Sequence, residues 1–305
     1  MLKTIFLLLF AVIVIPIVAF KFGDPLQPAQ KEMLMNMTYL MIGVASTCFV
    51  LSLITDNCSQ VDKLWSVIPM VYVWYFAYKG DFDPRMTLMA VLVTIWAVRL
   101  TYNFGRRGGY SWKFWTGEED YRWEVLKKNP ALSGKIRWTL FNLFFISFYQ
   151  LTLIFLFTLP AVVAWQGKNK PLGIWDLIVG LVMIGLIVIE TIGDQQQYNY
   201  QTEKYRRKNA GEALGDQYAK GFIDTGLWGK VRHPNYASEQ SIWIAFYLFS
   251  VVATGTWINW SLAGAVLLVI LFQGSADFSE NISLEKYPLY KDYIKRVPRF
   301  IPKFW

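Results

Sequence analysis

Histidine is almost absent from this sequence of 305 residues: there is one, His233. Membrane enzymes that bind iron through side chains use several imidazoles, the usual ligand for such ions. One histidine cannot build that site, and no ExxE or ExxH pair offers a carboxylate substitute, so no metal is expected. Cysteine is scarce too. Cys48 and Cys58 allow a single disulfide at most and form no CxxC, which argues against redox and structural-metal roles. There is no GxSxG, and neither cysteine lies near His233 in sequence, so a nucleophilic triad has no support. Internal repeats and low-complexity segments are missing as well.

Apolar side chains are abundant. They make up 54% of the chain, aromatics alone 17%, and they fall in runs near twenty residues long. Such runs predict membrane spans. The spans read as Met1–Phe20, Leu34–Ile54, Leu64–Tyr78, Met86–Phe104, Trp138–Trp165, Leu172–Ile192, Tyr236–Ala253 and Trp257–Gln273. Pro160 marks a kink or an exit from the membrane. Met1–Phe20 lacks a clear small-x-small cleavage site, so it is expected to be retained. The expectation is an all-α, polytopic integral membrane helical bundle with seven to eight transmembrane helices. Residues 1–33 would form an N-terminal membrane helix and loop, and residues 34–305 a seven-helix membrane domain.

The net charge of +8 is gathered in three blocks, Arg99–Arg137, Lys204–Arg232 and Lys286–Lys303. Hydrophobic spans separate them, which favours membrane lipid or a phosphorylated cofactor over nucleic acid. With the N-terminus in the cytoplasm, 24 of the 30 lysines and arginines fall on the cytoplasmic side and six on the other. That asymmetry supports the threading. Trp and Tyr are frequent in the two long basic segments, which argues against disorder.

Three stretches carry chemistry. In "VRLTYNFGRRGGY" (98–110), Arg99, Asn103, Arg106 and Arg107 fall on adjacent turns as an apolar helix ends. Guanidinium groups suit the pyrophosphate and 2′-phosphate of NADPH, and they equally suit a positive-inside anchor. In "ETIGDQQQYNYQ" (190–201), Glu190, Asp194 and Gln197 share one helix face. They suit hydrogen bonds to a ribose or carboxamide, or a solvated helix end. "RHPNYASE" (232–239) is the strongest signal. Pro234 fits the first turn of a helix, Asn235 and Glu239 share a face beside Tyr236, and Arg232 stands before a helix N-terminus that favours an anion. His233 would donate to phosphate or cap the helix.

"GLWGKVRHPNYASEQSIWIAFYL" and "YPLYKDYIKRVPRFIP", with "TIWAVRLTYNFGRR", "EEDYR" and "ETIGDQQQ" in the same order, resemble the steroid 5α-reductase-like membrane proteins. The match is closest to the branch labelled a domain of unknown function, and it covers roughly residues 40–305. That resemblance implies a helical membrane domain with NADPH on its cytoplasmic side and a cavity for a lipophilic small-molecule substrate. Hydride would pass to the β-carbon of an enone while an acid polarises the carbonyl. It also implies cofactor contacts at Asn103, Arg106, Asp194, Asn235 and Glu239. The steroid enzymes hold the carbonyl with a glutamate and a tyrosine. Here the first region reads "CSQVDKLWSVIP", with Asp62, while Leu92 or Trp96 takes the tyrosine's place and Tyr102 lies nearby. Asp62 and Tyr102 are the catalytic candidates. The histidine and tyrosine of the family's C-terminal tail fall near Ile282 and Lys286 and do not transfer.

The expected activity is NADPH-dependent reduction of a conjugated C=C bond in a steroid, sterol or other lipophilic enone. The expected location is the endoplasmic reticulum in a eukaryote or the inner membrane in a bacterium. Two other readings stand beside it: a methyltransferase using S-adenosylmethionine, of the isoprenylcysteine or phospholipid type, and a non-catalytic lipid-binding relative. Relatives of RHPxY occur in such methyltransferases, usually with a double-glutamate segment, where this chain has only Glu285 in "SLEKYPLY". S-adenosylmethionine lacks phosphates and gives no reason for Arg99, Arg106 and Arg107.

Overall fold

The structure is a computed structural model that describes residues 13–14, 16–21, 23, 25–113 and 115–303. Among these residues it is all helical, with no strand. Most of the expected span Met1–Phe20 lies outside the described residues.

Each remaining span in the sequence corresponds to a helix. Helix α1, Pro28–Thr55, starts where the Gln27 backbone N–H donates to Gln30 Oε1 (3.0 Å) and ends at Asp56 in the left-handed conformation (φ 49°). Short α2 (Gln60–Leu64) leads into α3 (Val67–Lys79). Helix α4, Pro84–Gly105, is started by Pro84 and capped by Asp83, which accepts from the Arg85 and Met86 amides. After α5 (Tyr121–Lys127) comes α6, Lys135–Gly167, which contains a π-helical stretch at Asn142–Tyr149 and a break at Leu159–Pro160. Helix α7, Ile174–Asn209, continues well past the expected Ile192. Short α8 (Gly215–Ala219) precedes α9 (Pro234–Thr254), α10 (Leu262–Lys286) and α11 (Tyr290–Arg296).

Five of these helices, α1, α4, α6, α7 and α10, are long and apolar enough to cross a membrane. Among the described residues that is fewer than the expected seven to eight, and most of the first expected span lies outside them. The 13 residues of α3 reach only about 20 Å at 1.5 Å per residue, short of a hydrocarbon core of about 30 Å. Helix α9 has the length, but its first turns carry Asn235, Ser238, Glu239, Gln240 and Ser241.

The chain divides into two compact units: residues 1–180 with 245–268, and residues 181–244 with 269–305. The first has a core built on Met33, Tyr72, Phe76, Met86, Met89, Trp96 and Phe157, all fully buried. Gly264 permits a close helix contact there, since a Cβ would lie 2.3 Å from the Leu156 carbonyl. Arg85 makes a buried two-pronged ion pair with Asp176 (2.7 and 2.9 Å) and donates to the Gly167 carbonyl. The segment after α4 is pinned to the start of α2: Asn57 donates to the Gly117 carbonyl, Gln60 to Trp115 and Lys63 to Thr116. The second unit has an aromatic core of Phe222, Tyr290 and Tyr293 with Val297. Burial raises the Tyr290 pKa to about 12.

Candidate functional site

In the second unit, "GLWGKVRHP" is laid along α7. Trp228 Nε1 donates to the Gly193 carbonyl (2.9 Å), and the Leu227 amide donates to Gln196 Oε1 (2.9 Å). Gly226 sits at φ 63°, where a Cβ would lie 2.6 Å from the Gln196 amide group. Gly193 on α7 faces Pro234, whose ring would be 3.4 Å from an added Cβ. A small residue on α7 thus lets the first turn of α9 approach closely.

That first turn is fixed from behind by Glu280 on α10. Arg232 Nε (2.9 Å), His233 Nε2 (2.8 Å) and Arg299 Nη2 (2.7 Å) all donate to the Glu280 carboxylate, which is 4% exposed. Arg232 also donates to the Ile294 and Val297 carbonyls. The Arg232 and His233 backbone amides donate to the carbonyls of Pro298 and Arg299. The guanidinium of Arg232 and the imidazole of His233, expected at an anionic ligand, are therefore engaged within the protein. Glu280 and Arg299 were not anticipated. Glu280 lies beyond the expected end of its span at Gln273, and a lone carboxylate in "ADFSENISLEK" was the only available signal.

Ahead of this clamp lies a polar group on α7 and α9. Asp194 is 4% exposed, and Asn235 Nδ2 is 3.4 Å from its Oδ1. Asn235 Oδ1 accepts from the Tyr236 amide (3.0 Å). The Tyr236 ring stacks on His233 (centroids 5.2 Å apart, planes at 10°) and leans on Phe272. Glu239 is buried and accepts from Trp243 Nε1 (3.0 Å). On the same face of α7 as Asp194, Gln197 Oε1 is buried with no hydrogen-bond partner among the described residues. Native structures rarely leave such an acceptor unmatched.

In the first unit, Arg106 Nε (2.9 Å) and Nη2 (2.6 Å) both donate to Asn103 Oδ1, and its guanidinium lies 5.6 Å from the Tyr102 ring centre. Asn103 is buried, Arg107 exposed and Arg99 half-buried. Tyr102 is 68% exposed and lines a groove of about 480 Å³ with Thr94, Ile95, Val98 and Arg99. Asp62 accepts from Trp123 Nε1 (2.9 Å), and burial raises its pKa. No hydrogen bond joins Asp62 to Tyr102. Among the described residues, no group of three or more His, Cys, Asp or Glu side chains is placed to hold a metal ion.

Apolar helices of spanning length, with a buried polar group where α9 begins, define an all-α protein of the membrane type. The family model described as "Protein of unknown function (DUF1295)" matches residues 48–297, and the chain belongs to that family. It is 36% identical over 261 residues to an uncharacterized protein of Schizosaccharomyces pombe (C594.04c), covering 82% of this chain and 74% of that one. It is 33% identical over 149 residues to a protein of Acanthamoeba polyphaga mimivirus named as a probable 7-dehydrocholesterol reductase. That match covers 44% of this chain and 31% of the viral protein. No solved structure matches.

Proposed function

We propose that the chain is a membrane reductase that uses NADPH to saturate a conjugated C=C bond in a steroid, sterol or other lipophilic enone. The observation that carries this reading is the buried, unmatched Gln197 Oε1 on the same helix face as Asp194. An amide oxygen beside a buried carboxylate calls for a ligand rich in O–H or N–H donors, and a nucleotide's riboses and carboxamide supply them. The viral relative's name points the same way.

The chemistry of the donor groups supports a nucleotide cofactor. Asp194, Asn235 and Gln197 would accept from and donate to ribose or carboxamide, with Tyr236 and Glu239 on the same helix as Asn235. In the first unit, taken by itself, Arg99, Asn103, Arg106 and Arg107 carry groups that suit phosphate. Arg232 and His233 would act through the backbone, holding the α9 N-terminus and its dipole in place rather than touching the ligand. When bound, NADPH supplies the hydride. The chain's own part is to orient the cofactor, exclude water and hold a proton near the enone oxygen. Asp62 keeps its proton to higher pH than an exposed carboxyl, and Tyr102 offers a hydroxyl at the groove on α4. Basic segments would face the cytoplasm, in the endoplasmic reticulum or a bacterial inner membrane.

The test is NADPH oxidation by the purified full chain against a panel of lipophilic enones. The reading requires oxidation that depends on both the enone and the protein. Oxidation with no member of the panel, despite NADPH binding, would favour a non-catalytic lipid-binding relative.

A further inference from the structure

The connection between α4 and α6 joins the ends of two helices long enough to span, and among its described residues the only helix, α5, has seven residues. Both ends of the connection therefore lie on one side of a membrane that α4 and α6 cross. Its base is rigid. Tyr110 Oη donates to the Lys63 carbonyl (2.7 Å), the Glu118 amide donates to Gly108, and the donations from Asn57, Gln60 and Lys63 hold residues 115–117. From this base Trp112 projects with its whole side chain open, at 105% exposure, next to exposed Lys113.

An indole left fully open on a pinned loop is unusual, because its large apolar area gains from leaving water. At the other end of the connection, where α6 begins, Ile136 is 77% exposed between exposed Lys135 and Arg137. The charges distinguish these two places from the rest of the segment. Asp120 is paired with Arg122, Glu119 with Lys127 and Glu124 with Lys128. Lys113, Lys135 and Arg137 take part in no ion pair among the described residues.

We infer that Trp112 and Ile136, with Lys113, Lys135 and Arg137, form a surface that seats in the headgroup region of the surrounding bilayer and binds anionic lipid. Tryptophan favours the membrane–water interface, where its ring lies among acyl carbons and its N–H reaches water or headgroup oxygen. A basic side chain near an anionic surface is drawn to it electrostatically. Three unpaired cations beside two open apolar side chains match that surface in both respects. A water-facing loop has no use for the indole, and an acidic protein partner would engage the cations without requiring proximity to the span ends.

The experiment places an environment-sensitive fluorophore at Trp112→Cys in the full chain, reconstituted in nanodiscs. Cys48 and Cys58 are buried and react little. Discs of phosphatidylcholine alone are compared with discs containing phosphatidylserine, using lipid-borne nitroxide and aqueous iodide as quenchers. The inference predicts quenching by nitroxide, protection from iodide, and at least a twofold gain in protection with phosphatidylserine. It also predicts that Lys135→Glu with Arg137→Glu abolishes that gain. Full iodide access in both discs would overturn the inference and leave the surface for a protein partner. Burial equal in the two discs would overturn the role given to the cations. A probe at Lys113→Cys gives the same readout if the Trp112 variant folds poorly.

Discussion

Arg232 and Glu280 form a buried ion pair, Nε to Oε1 at 2.9 Å, which ties the segment just before α9 to the last two turns of α10. His233 and Arg299 close on the same carboxylate. Removing the carboxylate strands buried cationic donors, and breaking a buried pair in this way costs about 3–5 kcal/mol. Glu280→Ala should therefore lower the thermal midpoint sharply, while Glu280→Gln, which keeps an acceptor, should lose less. Differential scanning of the two purified variants measures the gap. Equal and small losses would mean that the clamp holds nothing.

Gly264 and Gly43 make opposite demands. A Cβ at Gly264 would overlap the Leu156 backbone, whereas one at Gly43, inside α1, meets nothing within 4 Å. Gly264→Ala should destabilise by about 1–3 kcal/mol through overpacking. Gly43→Ala should be neutral or stabilising by up to about 1 kcal/mol, the usual glycine penalty in a helix. Denaturation of both variants in one detergent checks the contrast.

Asp62 makes stability depend on pH. Burial raises its folded pKa above the unfolded value, so the folded state retains the proton more readily. Its contribution is complete below the unfolded pKa and is lost as pH rises through the folded one. Asp62→Asn keeps an acceptor for Trp123 and cannot ionise. The variant's thermal midpoint should exceed that of the wild type at pH 8. The two midpoints should converge toward pH 4. If Asp62 also holds the catalytic proton, the same variant loses turnover while gaining stability.

Two substitutions separate holding the site from touching the cofactor. Asn235→Ala removes a half-buried amide that makes a long contact to Asp194 and accepts from the Tyr236 amide, and should change stability by about 1 kcal/mol or less. Its NADPH affinity should fall about tenfold, the scale of one or two lost hydrogen bonds. Arg106→Ala should act similarly through lost phosphate contacts. Arg232→Ala should instead unfold at much lower temperature, leaving Glu280 with fewer partners. Unchanged affinity in both Asn235→Ala and Arg106→Ala would refute the cofactor contacts.

Much of the architecture was legible because apolar runs and proline positions are local signals. Pro84 and Pro234 open helices, and every expected span from Leu34 onward has its helix. Among the described residues fewer helices reach spanning length than the sequence suggests, because a hydrophobic run reports burial in protein as readily as burial in lipid. The run Leu64–Tyr78 becomes a 13-residue helix with Tyr72 and Phe76 in the core. At the site, Asp194 with Asn235 and Arg106 with Asn103 were marked by residue type and do meet. The roles of Arg232 and His233 were not legible, since their partner Glu280 lies 48 and 47 residues away. A motif rich in cations looks like an anion site until the internal carboxylate that engages them is known.

Thermal-shift titration of the purified full chain with NADPH and, separately, with S-adenosylmethionine decides between a reductase and a methyltransferase. A ligand that binds only the folded state at 100 times its Kd adds about 2.7 kcal/mol of stability. The midpoint should climb with NADPH and stay level with S-adenosylmethionine. Stabilisation by S-adenosylmethionine with none by NADPH would contradict the reductase reading and assign the chain to the methyltransferases.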